Sequence, residues 1–196
     1  MRPSIREDII QTSIALFNER GYGNVSLRDI SGALGIRVGN LNYYFAKKQD
    51  ILQAIMERNF LHTAVQEDIT TLTQLHGFLG RMLDSLSDHA FYFRDPSIHS
   101  LNSGGEKNVN GLYRIFVRAL EDLQARGLFQ DTLTPERLES LVKVLMLSHL
   151  SWVQTSPQYS AVQSMTREEF LAAHWMLLDP YFTDAGREEY LRTVKG

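Results

Sequence analysis

The chain has 196 residues, 43% of them hydrophobic and 22% charged, with no cysteine and a formal net charge of −3. That length holds one or two globular domains with a sizeable core, and the ordinary composition excludes extended disorder. No run of eighteen apolar residues is present to span a bilayer, and the missing cysteines exclude disulfides, thiol nucleophiles and thiolate metal sites. Glu7 and Asp8 stand where a secretory signal would carry its apolar core, so a soluble cytoplasmic protein is expected. Charge is uneven: residues 1–50 hold seven Lys/Arg against five Asp/Glu, and the remainder holds thirteen against eighteen. A basic head on an acidic body is compatible with a polyanion-binding end.

Helical periodicity runs through the chain without convincing period-two alternation. Ile5, Ile9, Ile10, Ser13, Leu16 and Phe17 recur at threes and fours, predicting a first helix that ends at Gly21. Ser26 and Asp29 have capping-box spacing, and Val25 and Ile30 the spacing of a hydrophobic staple. They predict a helix over 27–33 that stops at Gly35, with Ala33 and Leu34 facing inward. A third helix starts near Arg37 and reaches Tyr44, with Val38, Leu41 and Phe45 on one face. A longer one starts at Lys48, with Ile51, Leu52, Ile55, Met56 and Phe60. Two short helices about a turn at Gly35, behind a longer helix, have the helix-turn-helix pattern, which other small three-helix bundles share.

Beyond residue 62 the pattern predicts helices over 72–90, 106–126, 135–154 and 167–179, the second ended by Gly127 and the third opened by Pro135. Asp95-Pro96, Asn102-Ser103-Gly104-Gly105 and Thr155-Ser156-Pro157 read as loops. No Gly/Ser/Pro linker divides the chain, so the boundary between an N-terminal unit (1–50) and a helical body (51–196) is expected inside a shared helix.

Within residues 9–55 stand Ala15-Leu16-Phe17, Glu19, Gly21-Tyr22, Val25-Ser26, Asp29-Ile30, Leu34-Gly35-Ile36, Gly39, Leu41, Tyr43-Tyr44-Phe45, Lys48 and Ile51-Leu52. Together they resemble the N-terminal DNA-binding domain of the tetracycline-repressor (TetR) family of bacterial transcription regulators. Asn42 departs from the pattern, standing where the family usually has an aromatic. The body shares with the family only its helical character and length. The resemblance implies an all-α fold, with an N-terminal three-helix helix-turn-helix DNA-binding domain joined to a larger helical ligand-binding and dimerisation domain. It also implies a homodimeric repressor on a near-palindromic double-stranded DNA operator, released by a small-molecule effector.

A helix-turn-helix lays its second helix in the major groove with its N-terminal residues toward base edges. Here those are Arg37, suited to guanine or phosphate; Val38, to a thymine methyl; Gly39, to close backbone approach; and Asn40, to adenine. Arg37 and Asn40 would also serve merely to solvate a helix start. Ser26, Arg28, Tyr43, Tyr44 and Lys48 resemble the family's phosphate-contacting positions, which orient without reading sequence. The tyrosine rings are equally suited to core packing. Phe17, Ile30, Leu34, Leu41 and Phe45 belong to the core of this unit.

Other chemistry finds little support. His62, His76, His89, His99, His149 and His174 show no paired metal spacing, Glu67-Asp68 and Glu168-Glu169 read as solvated faces, and no GxSxG, P-loop or GxGxxG is present. No enzyme activity, metal or cofactor is therefore expected. Segment 138–153 is apolar almost all round, as is Phe170-Leu171 with Trp175-Met176-Leu177-Leu178, and such helices must be buried on all sides. A two-fold interface carrying Leu145, His149, Trp152, Trp175 and Leu177 satisfies that requirement, and so does a core within one subunit. Met82 with Phe91, Tyr92, Phe93 and Arg94, and Tyr113 with Phe116, combine apolar and polar groups fit for a ligand pocket, or for ordinary core. Two other functions remain open: a DNA-binding structural or division-control protein of the same fold without an effector, and a helical enzyme or ligand carrier. Loss of DNA binding on adding a small molecule separates the first from a regulator, and failure to bind DNA marks the second.

Overall fold

Four helices open the chain: α1 (Ile5–Arg20), α2 (Leu27–Ala33), α3 (Val38–Tyr44) and α4 (Lys48–Arg58). The computed structural model describes residues 4–58, 68–95, 98, 105–152 and 165–194. Phe60, Pro96, residues 102–104, Val153 and the 155–157 loop therefore lie outside the described residues. Ile9, Phe17, Ile30, Leu41 and Ile51 have no solvent exposure, so one residue or more from each of the four helices meets in a common core. Two-turn helices such as α2 and α3 are marginal alone and owe their stability to that packing. The expected staple forms, with Val25 and Ile30 both buried. Ala33 does not face inward as expected; it is exposed, because Ile30 and Ser31 already fill the single side that α2 turns to the core.

The body holds α5 (Leu72–Asp88), α6 (Ala90–Arg94), α7 (Gly105–Ala125), α8 (Pro135–Trp152), α9 (Arg167–Leu178) and α10 (Asp184–Thr193). α5 is its axis, packing against α8, α9 and α10, while α7 lies on α8. Leu72, Leu75, Phe78, Leu79, Met82, Leu83 and Leu86 are all buried, as their spacing requires. Gly105 begins α7 rather than closing a loop. Among the described residues the sole β-type pairing is an isolated bridge between Phe129 and Phe182.

The predicted helix over 72–90 is in fact two. It stops at Asp88, turns at His89 and resumes as α6. The break aims Phe91 and Tyr92 into the N-terminal core, where Phe91 lies 5.2 Å from the Phe17 ring. Asn18 fixes the junction: its Nδ2 donates to the Asp88 carbonyl at 2.6 Å, and its Oδ1 accepts from the Phe91 N–H at 2.9 Å. These two hydrogen bonds tie the α5–α6 corner to α1.

Two histidines, 25 residues apart in the chain, meet inside the body. His149 on α8 and His174 on α9 are both buried, with ring centroids 4.4 Å apart. Burial, helped by the neighbouring His174, pushes the His149 pKa down to about 3, and burial lowers that of His174 as well. The folded-state values lie below the unfolded ones. The His149 contribution to stability is therefore whole above about pH 6.5 and is lost as pH falls toward 3, and that of His174 is lost in the same direction. One such proton makes stability fall by up to about 1.4 kcal/mol per pH unit in that window. Urea midpoints between pH 7 and 4 are expected to drop more steeply for the natural chain than for His149→Phe. Parallel slopes would contradict the neutral pair.

Candidate nucleic-acid interface

The turn between α2 and α3 aims the candidate reading helix. Gly35 adopts φ +65°, a left-handed conformation that suits glycine, and its N–H reaches the Gly32 carbonyl at 3.1 Å. Ile36 follows with an N–H bond to the Ser31 carbonyl at 3.0 Å. Arg37 then enters in extended conformation as the N-cap of α3. Leu41 anchors the inner side of that helix in the core. Arg37, Gly39, Asn40 and Tyr43 are therefore left exposed together, with Val38 half-buried between them.

Gly39 is informative. A Cβ built there would meet nothing within 4 Å, so packing inside the chain does not require glycine. Glycine inside a helix costs about 1 kcal/mol relative to alanine. Glycine at this exposed position is thus neither favoured for folding nor needed for packing, as is also true of Gly32 on α2.

The candidate phosphate-contacting residues surround this helix. Tyr43 is 85% exposed and Tyr44 38%, their rings edge to face at 5.2 Å, so core packing does not account for either. Arg28 is exposed on α2. Ser26 and Asp29 form the predicted capping box: the Asp29 N–H donates to Ser26 Oγ at 3.2 Å and the Ser26 N–H donates to Asp29 Oδ2 at 2.7 Å. The Ser26 hydroxyl also donates to Asp29, holding that carboxyl below its ordinary pKa, and a phosphate contact by Ser26 must displace this bond. Lys48 is half-buried. Its Nζ donates to the Tyr22 carbonyl at 2.6 Å and the Val25 carbonyl at 2.7 Å and stands 4.2 Å from the Tyr22 ring centroid. An ammonium has three protons, so a phosphate can claim one more.

The pocket and interface candidates do not assemble as the sequence analysis expected. Phe91 and Tyr92 belong to the N-terminal core, Arg94 is exposed, and Phe116 packs edge to face on Phe78 at 5.1 Å in the body core. Phe93 touches both cores, while Tyr113 lies under Lys143 at the rim of α7. Met82 lines a small apolar cavity between α5, α7 and α8, which His149 of the interface candidates also lines. Leu145, His149 and Trp175 are buried within the chain's own body, the Trp175 Nε1–H donating to His76 Nδ1 at 3.0 Å, and Trp152 packs on Phe170. Leu177 is exposed, and so are Val144, Leu147 and Met176, which the sequence reading counted among the apolar residues of these helices without assigning them to the interface. Apolar type identified these two helices as carrying surplus hydrophobic surface. Which positions remain over after α5 and α7 are packed depends on helix rotation, which residue type does not encode.

Among the described residues no group of three or more His, Asp or Glu could hold a metal ion, and no helix is long and apolar enough to cross a membrane. Residues 9–55 match the family model for bacterial regulatory proteins of the tetR family. Over 188 residues the chain is 34% identical to the biofilm operon icaADBC HTH-type negative transcriptional regulator IcaR of Staphylococcus epidermidis, covering 91% of this chain and 82% of that relative. A probable HTH-type transcriptional regulator of Bacillus subtilis, YttP, is 28% identical over 80 residues; the chain spans 39% of that relative's length. In three dimensions the chain resembles a TetR-family transcriptional regulator from Marinobacter aquaeolei, with a TM-score of 0.78 at 22% identity over 97% of each chain.

Proposed function

This chain belongs to the tetracycline-repressor (TetR) family of bacterial regulatory proteins and is a DNA-binding transcriptional repressor; on that premise we propose that it acts in the cytoplasm as a homodimer on a near-palindromic operator and lets go when its body binds a small molecule. Residues 1–50 serve as the DNA-binding unit and 51–196 as the sensing and pairing unit. The observation that carries the reading is α3, with Arg37, Gly39 and Asn40 exposed together on a helix held from behind by Leu41. Asn40 reads adenine, Arg37 guanine or a phosphate, and Val38 a thymine methyl, while Arg28, Tyr43, Tyr44, Ser26 and the third proton of Lys48 meet the backbone. Two heads related by a two-fold axis require half-sites about one helical turn (~34–36 Å) or a multiple of it apart. Effector binding favours a body conformation in which that spacing is lost, and the Asn18–Phe91 junction carries the change into α1.

Selection of bound sequences from a random DNA library, followed by affinity measurement at several salt concentrations, tests this reading. A symmetric consensus and steep salt dependence are expected; an asymmetric or absent consensus refutes it. Asn40→Ala is expected to cost about 1–3 kcal/mol at one operator position and to relax specificity there. Equal weakening of specific and random DNA would show that Asn40 reads nothing. Gly39→Ala gives the opposite pairing of effects: thermal stability rises by up to about 1 kcal/mol while operator affinity falls. Unchanged affinity would remove the close approach from the reading.

A further inference from the structure

We propose that the cavity between α5, α7 and α8 binds an apolar molecule carrying one hydroxyl, an alcohol or a phenol, which donates its proton to Nε2 of His149; the proposal rests on the reading that the body senses a small molecule. Met82 and Leu86 from α5, Val109 and Leu112 from α7, and Met146 and Leu150 from α8 give the cavity apolar walls. His149 is the one polar residue lining it.

The protonation pattern follows from two backbone carbonyls. His149 Nδ1 lies 2.9 Å from the Leu145 carbonyl oxygen, which only accepts, so Nδ1 carries the proton of the neutral ring. His174 Nδ1 is protonated for the same reason, 2.8 Å from the Phe170 carbonyl. His174 Nε2 is then an acceptor facing two single-proton donors that it shares with the Leu145 carbonyl, His149 Nδ1 and Ser148 Oγ, each at 3.0 Å. His149 Nε2 is left as a lone pair, and it is the buried side-chain nitrogen or oxygen without a hydrogen-bond partner among the described residues. The Leu79 carbonyl near the ring is itself an acceptor and cannot satisfy it. Burial keeps the ring neutral at physiological pH, so the lone pair persists.

A buried acceptor with no donor carries a desolvation cost that a donor removes. Water is a poor occupant. The cavity of about 10 Å³ admits a single water, which needs two to four polar partners and finds one. A molecule with an apolar body satisfies both the walls and the nitrogen. A carboxylate would face the lone pair with its own, and an ammonium would find no counter-charge in these walls. Met82 and Met146 are unbranched and adapt to a larger guest. Val109, Met146 and Leu150 are only half-buried, which places the entrance between α7 and α8.

Calorimetric titration of the full chain with 4-propylphenol and with 4-propylanisole, which lacks the proton, tests the proposal. The phenol is expected to bind at least tenfold tighter, about 1.4 kcal/mol. His149→Phe is expected to shrink that preference below twofold while still binding the ether. In the unliganded natural chain, ¹⁵N spectra of the imidazoles should show His149 protonated at Nδ1, with the phenol moving its Nε2 resonance. Equal affinity for the two probes, binding of neither, or a proton on Nε2 would each overturn the proposal. The spectrum and the probe ratio of the natural chain decide the matter even if His149→Phe fails to fold. Operator binding is measured alongside. Specific DNA binding with no preference between the probes removes this proposal alone, whereas absence of DNA binding removes the regulator reading beneath it.

Discussion

Leu147→Glu and Met176→Glu are each expected to convert a dimer into monomers at micromolar concentration and to abolish operator binding, without unfolding the chain. Val144, Leu147, Met176 and Leu177 are 51%, 62%, 74% and 43% exposed on α8 and α9, two helices held against each other by the Ser148–His174 and Trp152–Phe170 contacts. Complete burial of such a side chain stabilises by about 1.5–3 kcal/mol, so covering the exposed half of four of them contributes about 3–6 kcal/mol per protomer. A two-fold interface brings the same patch from both subunits together. One glutamate per chain therefore removes two apolar contacts and introduces two desolvated carboxylates. A rise of at least 100-fold in the dimer dissociation constant, about 2.7 kcal/mol, is the expected size. Operator binding falls further, because a monomer engages one half-site and loses the advantage of the tethered second head. Sedimentation equilibrium measures the first effect and gel-shift titration the second. A natural chain that sediments as a folded monomer would refute the interface. A dimer untouched by either substitution would move it to another face. Leu145→Glu serves as contrast: Leu145 is 1% exposed in the body core, so a charge there should unfold the subunit rather than merely separate two of them.

Gly186→Ala should be among the most destabilising single-methyl additions in the chain. Gly186 is buried in the first turn of α10, and a Cβ there would stand 2.0 Å from the Leu128 carbonyl oxygen and 2.9 Å from its carbon. Those are backbone atoms and cannot swing aside. The same carbonyl accepts the Thr183 N–H at 3.1 Å, and Thr183 Oγ1 in turn caps α10 and donates to the Gly127 carbonyl at 2.6 Å. Relieving the clash therefore breaks the clamp that holds α10 to the 127–129 turn. It also disturbs the stacking of Phe182 on Phe129, at 5.0 Å, and the tilted packing of Tyr190 on Trp175, also at 5.0 Å. Overpacking typically costs about 1–3 kcal/mol, and with the clamp lost the upper end or more is expected, read as a lowered urea midpoint. Gly32→Ala is the control. Its Cβ would meet nothing within 4 Å, so the helix should gain up to about 1 kcal/mol. Equal effects of the two substitutions would contradict the close approach of Gly186 to Leu128.

How much of this was legible beforehand divides along a physical line. The N-terminal unit was read almost to the residue, because its determinants are local. A capping box at Ser26 and Asp29, a left-handed glycine at 35 and apolar residues at threes and fours each act within one or two helical turns. The combined pattern over 9–55 also identified the family, and with it the class of function. The long body helices were legible for the same reason, to within two residues at their ends, although the first was drawn through the break at His89. By contrast α6 and α10 were missed. One is five residues long, and the other buries only Gly186 and is held by clamps from Gly127 and Leu128, far away in sequence.

The candidate sites divide in the same way. Exposure of Arg37, Gly39 and Asn40 followed from their register against Leu41 on a single helix. Pocket and interface residues did not follow, since each depends on how several helices rotate against one another. Phe91 is aromatic whether it lines a cavity or plugs the head, and only the break at His89 sends it to the head. Leu145 and Leu147 are alike by residue type, yet a two-residue step turns one into the core and leaves the other for a partner. Sequence by itself determined most of the helices, the family and the exposed face of α3. The tertiary structure decided which apolar residues were left over, and it brought His149 and His174 together, because contacts between distant segments depend on the packing of the whole chain rather than on the spacing within any part of it.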